Sequence, residues 1–419
     1  MAATFQESGS GRADTKCADT LVVGWRAGTT QALEALGRTV TCVLAPADVP
    51  TARRSGFAGE VIVVPDPANV EHVLSGLERA GVPATHFSVV GTNLEPAIVA
   101  ASVLGSMVGA RCLAPRTAVL LRDKVAQKAT VRSAGLAAAR CFTVDTLSDL
   151  PGEESAYPLV VKPLAGAGTV DTHALSTPQA ARELALGRPG KQGHGPWAVE
   201  EFIDGAEMQI DGVVREGEVI FLVVSRYLQN LIEIRHGGLV GTVLLDRQIH
   251  RDTYARVDDV VSRSLRSLGH TDGVFHLEAF SRRDQVIFSE CAGRTTGGMV
   301  REKLIHKFGV DLVSEWARAL VGLPARIPNG PRDSMCYGSA NFVAPIGEIV
   351  VIPDVAEVLA QPGVVEATVE IKAGDTAADP RTSSNVKAGR FVVAAETENE
   401  VEKLLNATAQ WFAASTVVR

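Results

Sequence analysis

A chain of 419 residues exceeds one ordinary core, so we expect two to four subdomains, and 46% hydrophobic with 21% charged residues is typical of a globular protein. A formal net charge of −7 without Lys/Arg-rich runs gives no attraction to nucleic acid, and no apolar stretch is long enough to span a membrane. The six cysteines show no C-x-x-C spacing, which predicts neither a zinc site nor a disulfide framework and favours the cytoplasm.

The N-terminal part of the chain has an alternating pattern. Residues 1–18 are polar and lack the apolar core of a signal peptide, so we expect a flexible tail. From residue 19 to 120, short buried strands alternate with helices, which predicts a Rossmann-like domain with a parallel sheet. The turn from Gly24 to Gly28 lacks the G-x-G-x-x-G spacing and favours a generic turn over a dinucleotide site. The predicted strands are 21–24, 39–44, 60–64 and 87–90, and the predicted helices are 30–36, 68–80 and 95–107.

Two lysines stand where a phosphate could be bound. Lys124 follows Asp123 at the start of a helix, where a surface lysine is the simpler interpretation. Lys162 ends a buried strand just before a turn that contains Gly166 and Gly168, and the backbone N–H groups of such a turn can approach phosphate oxygens closely. No G-K-[ST] sequence occurs, so this is not a P-loop, and an ordinary β-turn stays open as the alternative.

The strand 197–202 ends in a run of acidic residues, Glu200-Glu201-Phe202-Ile203-Asp204-Gly205-Ala206-Glu207. Extended backbone can pair with the edge of an adenine, and an acidic side chain a few residues further on can accept hydrogen bonds from ribose hydroxyls. Acidic residues at strand ends are common, so this pattern indicates a nucleotide site only through its spacing.

The stretch from Gly273 to Gly298 is typical of a β-hairpin, with two apolar runs on either side of a polar segment. Alternation decides which side chains share a face, and a loop with an odd number of residues would bring Glu278 and Glu290 to the same side. The predicted shared faces are Val274, His276, Glu278 and Phe280 on the first strand, and Val286, Phe288, Glu290 and Ala292 on the second.

This hairpin carries the residue types that suit phosphoryl transfer. Mg²⁺ prefers oxygen ligands and usually takes one or two carboxylates with substrate phosphates, which Glu278 and Glu290 can supply. Arg294 can neutralise charge on a phosphoryl group or hold a carboxylate with two hydrogen bonds. Gly297-Gly298 precede a helix, where they predict either an anion site or a structural cap. The alternative for the whole stretch is an ordinary hairpin with solvent-facing glutamates.

A proline-rich break at 323–331 precedes a last module, residues 331–419, which is predicted to be a set of strands followed by a helix that starts at a Thr397-x-x-Glu400 capping box. Taken in order, the motifs of the chain resemble those of the ATP-grasp carboxylate-amine ligases, most closely the group of bacterial L-amino acid ligases. The motifs are R-D-K at 122–124, V-V-K-P at 160–163 with its glycine loop, E-E-F-I-x-G-x-E at 200–207, F-H-L-E at 275–278 and E-x-x-x-R-x-x-G-G at 290–298.

The resemblance implies an α/β ATP-grasp fold. Its parts would be the N-terminal Rossmann-like domain at 19–120, the ATP-grasp domain at 121–322 with a lid at about 143–204, and a C-terminal α+β module at 331–419. It also implies ATP and Mg²⁺ as cofactors. The implied nucleotide contacts are Lys124 and Lys162 for the phosphates, Gly166 and Gly168 in the loop over them, Glu200 for the adenine amino group, the backbones of Glu201 and Ile203 for the base, and Glu207 for the ribose.

For the reaction, the resemblance implies that Glu278 and Glu290 bind magnesium and that Arg294 stabilises an acyl phosphate and a tetrahedral intermediate. His276 would lie beside the metal, with a hydrogen-bonded, half-buried histidine as the alternative. Two departures stand out: Ala292 replaces an asparagine that many relatives have, and the glycine loop continues as Thr-Val-Asp (169–171) instead of Ser-x-Gly.

The implied activity is that of an ADP-forming ligase that joins a carboxylate, that of an amino acid, to an amine. Its partners would be small-molecule substrates, and neither nucleic acid nor a membrane is expected. Homodimers are common in the family, so a homodimer is expected as well. Two alternatives stay open: an ATP-grasp enzyme with a different acceptor, for cyclisation or carboxylation, and a nucleotide-binding protein without catalysis.

Overall fold

A computed structural model describes residues 19–419 apart from 167 and 189, and it leaves the side chains of residues 191, 192 and 194 undescribed. The predicted tail at 1–18, which includes Cys17, lies outside the described residues. Over the described part of the chain, no helix has both the length and the apolar character that crossing a membrane requires.

The N-terminal domain is a four-stranded parallel sheet with the order β3-β2-β1-β4, in agreement with the predicted alternation. Its strands are short and apolar, and side chains such as Leu21, Val43 and Val90 are buried against the helices. The elements are β1 (Thr20–Val23), α1 (Thr29–Glu34), β2 (Val40–Leu44), α2 (Val49–Arg54), β3 (Glu60–Val63), α3 (Val70–Arg79), β4 (Val89–Gly91), α4 (Ile98–Met107) and α5 (Pro115–Leu120).

A helix and a small antiparallel sheet follow. Asp123 caps the helix through its side chain, which accepts hydrogen bonds from the N–H groups of Val125 and Ala126. The sheet has the order β5-β8-β6-β7 and a core of its own, and it overlaps the predicted lid at 143–204. The elements are α6 (Lys124–Ser133), β5 (Cys141–Thr146), β6 (Leu159–Pro163), β7 (His173–Leu175), α7 (Pro178–Leu186) and β8 (His194–Glu201).

The centre of the molecule is an eight-stranded antiparallel sheet with the order β13-β12-β9-β10-β11-β14-β18-β16, in which β14 (Cys336–Phe342), β16 (Val364–Val369) and β18 (Gly389–Ala395) come from the last part of the chain. Valines and leucines of α8 pack on one face of this sheet, and α9 and α10 pack on the other. The elements of its first part are β9 (Ala206–Arg215), β10 (Glu218–Tyr227), β11 (Gly241–Leu244), α8 (Arg251–Leu268), β12 (Gly273–Arg282), β13 (Gln285–Ala292), α9 (Val300–Phe308) and α10 (Leu312–Leu320).

The last part of the chain continues this sheet. Strand β14 pairs with β11 in antiparallel register, so the predicted module at 331–419 shares a sheet with the preceding domain. Thr397 accepts a hydrogen bond from the N–H of Glu400 at the start of the final helix. The elements are β14 (Cys336–Phe342), β15 (Gly347–Val351), α11 (Val355–Leu359), β16 (Val364–Val369), β17 (Thr376–Ala377), β18 (Gly389–Ala395), α12 (Glu398–Ser415) and β19 (Val417–Val418).

Strands β12 and β13 form the predicted hairpin, and Glu278 lies directly opposite Glu290. The connecting turn has only two residues, but a one-residue register shift after Glu278 gives the pairing that an odd loop would have given. That shift reverses the alternation along β13, so Val286 and Phe288 pack in the apolar core behind the sheet. The prediction that these two residues share the face of Glu290 is therefore wrong.

Candidate active site

A cavity of about 530 Å³ opens between the N-terminal domain, the small sheet, the hairpin and the last module. This volume lies within the range of small-molecule sites in proteins. Every residue predicted as a site residue lines the cavity, although their individual roles stay predictions. These residues are Lys124, Lys162, Gly166, Gly168, Glu200, Glu201, Ile203, Glu207, His276, Glu278, Glu290 and Arg294.

Three lysines and two glutamates form a charge cluster at one end of the cavity. Lys162 Nζ lies 3.2 Å from Glu200 Oε1 and 3.7 Å from Glu290 Oε2, and Lys124 Nζ lies 3.3 Å from the same oxygen of Glu290. Sequence reasoning missed Lys128, whose Nζ lies 2.9 Å from Glu200 Oε1. Its position four residues after Lys124 on α6 places both lysines on one helix face, which is the signal that could have identified it.

The cluster sets the charges of its members. Burial alone would raise the pKa of Glu290, but Lys124, Lys162 and Lys128 together hold it well below its usual range. Burial likewise opposes the charge of Lys162, whose pKa Glu200 and Glu290 nevertheless raise. Glu290 and Lys162 are therefore charged at neutral pH, whereas burial lowers the pKa of Lys128 against the attraction of Glu200. Lys124 and Lys162 line the cavity, where an anion can reach them.

Lys162→Met is expected to weaken ATP binding about tenfold or more, since a hydrogen bond to a charged group contributes about 1.5–3 kcal/mol. Lys128, which is 1% exposed at its side chain, does not line the cavity, so Lys128→Met is expected to lower stability through its buried partner Glu200. Calorimetric ATP titration and thermal unfolding separate the two effects, with Lys403→Met on exposed helix surface as the control. An unchanged ATP affinity in Lys162→Met would remove that residue from the phosphate site.

The loop over this cluster is tied to the last module. Lys124 Nζ donates to the carbonyl of Gly166 at 2.9 Å, and Ser383 Oγ donates to the carbonyl of Gly168 at 2.7 Å. The Ser384 N–H donates to Thr169 Oγ1 at 3.0 Å. The hydroxyl group of Thr169 therefore links the glycine loop to the last module.

An apolar slot and acidic residues line the part of the cavity assigned to the nucleoside. Ile203 packs in a small cluster with Ala139, Ile287 and Phe280. The N–H of Glu201 donates to the carbonyl of Arg140 at 3.0 Å and its carboxylate pairs with that arginine, so only its carbonyl is left for a base. The slot suits a flat aromatic base.

Glu207, the predicted ribose ligand, is buried at the end of this slot. Its carboxylate accepts a hydrogen bond of 2.7 Å from the N–H of Leu231. Burial, and then the negative charge of Glu278, raise its pKa to about 8. The raised pKa favours the protonated carboxyl group, and in either protonation state its oxygens can accept hydrogen bonds from ribose hydroxyls.

His276 is buried and lies in a chain of polar side chains that ends at Glu278. Its Nδ1 lies 3.1 Å from Asp211 Oδ1 and its Nε2 lies 3.4 Å from Glu278 Oε1, while the hydroxyl of Tyr227 donates to the same Glu278 oxygen at 3.3 Å. Burial alone would lower the pKa of His276, but Asp211 and Glu278 raise it to about 9. His276 is therefore hydrogen-bonded on both sides and also lines the cavity. Asp211, which sequence reasoning missed, faces it directly across the sheet.

Glu278 and Glu290 fit a magnesium ion that a nucleotide brings with it. They are opposite each other across the hairpin and both line the cavity. Within residues 19–419 as described, there is no cluster of three or more His, Cys, Asp or Glu side chains that could hold a metal ion. The two carboxylates are the kind of ligand that Mg²⁺ takes together with phosphates and water. Ala292 stands opposite His276 and does not line the main cavity.

Arg294 is positioned by the N-terminal domain. Its Nε donates to Glu95 Oε2 at 2.8 Å, and its Nη2 lies 2.7 Å from the same oxygen. Arg122 Nη1 donates to the other oxygen of Glu95 at 3.0 Å, and Asn93 accepts a hydrogen bond of 2.9 Å from the N–H of Thr295. Glu95 was not identified from the sequence, where nothing distinguishes it from any acidic residue in the first turn of a helix.

Beyond the hairpin, the glycine pair serves the backbone. Gly298 has φ +68°, in the left-handed region that favours glycine, and its carbonyl accepts a hydrogen bond of 2.8 Å from Arg390 Nη1. Helix α9 begins two residues later. These contacts agree with the structural-cap interpretation of the pair and leave the anion site a prediction.

Lys303 is a buried lysine beside the cavity, where its Nζ donates to Thr242 Oγ1 at 2.9 Å and to Ser225 Oγ at 3.2 Å. Burial lowers its pKa from 10.5 to about 8, against the attraction of Asp211. The unfolded chain keeps the proton of Lys303 up to a pKa of 10.5, whereas the folded protein loses it at about pH 8. The free energy of unfolding should therefore rise between about pH 8 and 10.5.

Lys303→Met is expected to abolish that rise and to stabilise the protein at pH 7 by something on the order of 1–3 kcal/mol. Urea unfolding at pH 7 and pH 10 measures both quantities, with Lys403→Met as the control for losing an exposed lysine. An identical pH dependence in the variant and the wild type would show that Lys303 is not the group that titrates.

Comparison with known proteins agrees with this geometry. The ATP-grasp domain family matches residues 155–303, and the L-amino acid ligase C-terminal domain 2 family matches residues 341–411. The chain is 24% identical over 367 residues to an L-arginine-specific L-amino acid ligase from Bacillus subtilis, which covers 85% of this chain and 87% of that protein.

Solved structures show the same fold. An L-amino acid ligase from Bacillus licheniformis superposes with a TM-score of 0.75 at 18% identity, covering 96% of this chain and 99% of that one. A carboxyaminoimidazole ribonucleotide synthase from Aspergillus clavatus, solved with ATP, has a TM-score of 0.70 at 18% identity, covering 94% and 99%. The chain therefore carries an ATP-grasp domain and an L-amino acid ligase C-terminal domain, and it has the fold of the L-amino acid ligase structure.

Proposed function

We propose that this protein is an ADP-forming ligase that activates the carboxylate of an amino acid as an acyl phosphate and joins it to an amine, forming an amide or peptide bond. One observation carries the proposal. The opposed carboxylates Glu278 and Glu290, the ammonium groups of Lys124 and Lys162, and the guanidinium of Arg294 converge on one cavity. These side chains can hold a nucleoside triphosphate at one end of the cavity and a substrate carboxylate at the other.

The nucleotide would lie along the small sheet and the hairpin. We assign the phosphates to Lys124 and Lys162, which also hold Glu290, and the base to the slot beside Ile203. Glu200, neutralised by two lysines, would face the exocyclic amino group of adenine, and Glu207 would contact the ribose. The glycine loop, fixed by Lys124 and by the last module, would cover the phosphates and exclude water.

Glu278 and Glu290 would hold the magnesium ion. When bound, the ion neutralises negative charge on the phosphates and orients them. Lys124 and Lys162 balance Glu290, and Tyr227 and His276 contact Glu278, so contacts within the protein hold both carboxylates in place. Preorganised charges of this kind contribute to the phosphoryl step without rearrangement during the reaction.

In the first step, a carboxylate oxygen of the substrate attacks the γ-phosphorus of ATP, and ADP leaves. In the second step, the amine nitrogen attacks the acyl carbon of the acyl phosphate, loses a proton, and expels phosphate. Both steps develop negative charge on oxygens near Arg294, which Glu95 and the carbonyl of Thr295 hold in orientation. Positioning and charge stabilisation therefore account for most of what this chain must supply.

The test is phosphate release from ATP and Mg²⁺ across a panel of amino acids, singly and in pairs, with the product mass measured in each active well. Release that requires two amino acids and gives the sum of their masses minus water establishes an amide ligase. Release with one substrate indicates cyclisation or another acceptor, and nucleotide binding without release from any substrate would contradict the proposal. L-Arginine belongs in the panel because the Bacillus subtilis relative is named for it.

Three further predictions concern the setting of the reaction. The substrates are small molecules, as they are for the amino acid ligases that this chain resembles. A homodimer stays a prediction that light scattering can check. The cytoplasm stays a prediction as well, and it rests on the scattered cysteines, of which the five in the described residues are free.

A further inference from the structure

Arg26 is a cavity-lining residue that neither the motifs nor the proposed reaction uses. It lies in the turn between β1 and α1, where Gly24 and Gly28 both have φ +81° and so allow a sharp change of direction. The turn belongs to the N-terminal domain, at the carboxyl end of its parallel sheet. Ligands of open α/β sheets bind at this edge.

The guanidinium of Arg26 is largely free to bind a ligand. Its Nη2 donates to the carbonyl of Thr296 at 2.7 Å, and across the described part of the chain it has no carboxylate within 4 Å. A guanidinium has five N–H donors, so most of them remain. The neighbouring arginines differ, because each is paired with a carboxylate: Arg122 and Arg294 with Glu95, Arg301 with Asp311, and Arg390 with Glu370.

The surroundings of Arg26 favour an anion. Burial, and then the positive charge of Arg294, lower its pKa to about 10, while Glu95 opposes them. Arg26 is therefore still charged at neutral pH, close enough to Arg294 to repel it. Two partly buried cations that line one cavity favour an anion between them. Glu95 is hydrogen-bonded to Arg122 and Arg294, so the remaining donors of Arg26 are left for an anion of a bound molecule.

The chemistry of the reaction indicates which anion this is. In the proposed ligase, the phosphates are matched by Lys124 and Lys162, and the acyl phosphate by Arg294. An amino acid that supplies the amine carries its α-carboxylate one carbon atom away from the attacking nitrogen. That carboxylate must lie within a few ångströms of the acyl phosphate, where two negative groups would repel each other unless a second cation separates them.

We propose that Arg26 binds the α-carboxylate of the amino acid that supplies the amine. The inference rests on the proposed function, and it makes Arg26 a specificity residue that selects amino acids over simple amines. A carboxylate accepts two parallel hydrogen bonds from a guanidinium, a geometry that lysine cannot reproduce. Thr296, whose carbonyl orients Arg26, also donates its hydroxyl to Asp211, which links this subsite to His276.

The test compares an active acceptor amino acid with its α-amide, which keeps the amine and loses the charge. In the wild type, kcat/KM for the acid should exceed that for the amide by about 10–100-fold, the value of a charged hydrogen-bonded pair. In Arg26→Gln that ratio should fall to within about threefold of unity, mainly through a higher KM for the acid, and Arg26→Lys should recover only part of it. Arg54→Gln, on an exposed helix of the same domain, is the control and should keep the wild-type ratio.

The outcomes separate this inference from the proposed function. Hydroxylamine, which has no carboxylate, should capture the acyl phosphate of the wild type as a hydroxamate; without a hydroxamate from any amino acid, the proposed function itself fails. If hydroxamate forms and Arg26→Gln lowers kcat/KM for acid and amide by the same factor, Arg26 has a structural role and the inference is overturned. In either size of loss, including none, the sign of that result is an acid-to-amide ratio of kcat/KM that Arg26→Gln leaves unchanged.

Discussion

Glu290→Gln is expected to reduce kcat by at least about 10²-fold, since a metal ion contributes several kcal/mol of charge stabilisation to the transition state. The amide keeps the size of the side chain and removes the charge that a magnesium ion requires. It also removes the negative charge beside Lys124 and Lys162. ATP without magnesium should therefore bind at least as tightly to the variant as to the wild type, while magnesium no longer strengthens that binding.

The measurement is an ATP titration with and without Mg²⁺, together with steady-state turnover. Glu218→Gln is the control, because Glu218 is an exposed glutamate that does not line the cavity. Thermal unfolding establishes that both variants are folded. Full turnover in Glu290→Gln, or an intact magnesium effect on ATP affinity, would show that Glu290 is not a metal ligand.

The parts of the site that could be predicted are those whose structure follows from a pattern of neighbouring residues in the sequence. The hairpin follows from two apolar runs, and the cap of α6 follows from Asp123 ahead of a helical stretch. Even there, the bulge that moves Val286 and Phe288 to the other face left no trace in the sequence, because an extra residue in a strand changes the pairing without changing the composition. The opposition of Glu278 and Glu290 depends on that bulge.

The parts that could not be predicted are those in which distant segments meet. Glu95 and Arg294 are 199 positions apart, and the hydrogen bonds of the last module with the glycine loop span 215 positions. Neither end carries a signal of its own, since an acidic residue in a helical turn or a serine in a loop is common everywhere. The same holds for the antiparallel pairing of β11 with β14, which joins the last module to the central sheet.

These long-range hydrogen bonds bring three parts of the chain to one cavity. Arg26 and the carboxylate that holds Arg294 come from the N-terminal domain, and the serines that hold the glycine loop come from the last module. In the proposed reaction, the ATP-grasp domain would supply the nucleotide and metal ligands, while its neighbours would position Arg294 and hold the glycine loop. We expect differences in substrate choice among related chains to lie in these flanking segments rather than in the shared motifs.

Arg294→Gln is expected to lower kcat by about 10²–10³-fold, the effect of removing one preorganised donor to developing negative charge. ATP affinity should change less than about threefold, because Arg294 contacts Glu95 and Thr295 and does not belong to the lysine cluster. Removing a charged hydrogen bond to ATP would instead weaken ATP binding about tenfold or more. Arg294→Lys should not recover the rate, since both Nε and Nη2 hold the Glu95 carboxylate and a single ammonium cannot reproduce that orientation.

Single-turnover measurement of ADP and of the coupled product checks this prediction for Arg294. Glu95→Gln should give a smaller loss, because it weakens the orientation of Arg294 and keeps its charge, and Arg251→Gln on exposed helix surface is the control. If Arg294→Gln instead weakened ATP binding and left the rate at saturation unchanged, Arg294 would bind the nucleotide in the ground state. Stabilisation of the acyl phosphate would then have to come from another cation that lines the cavity, such as Arg26.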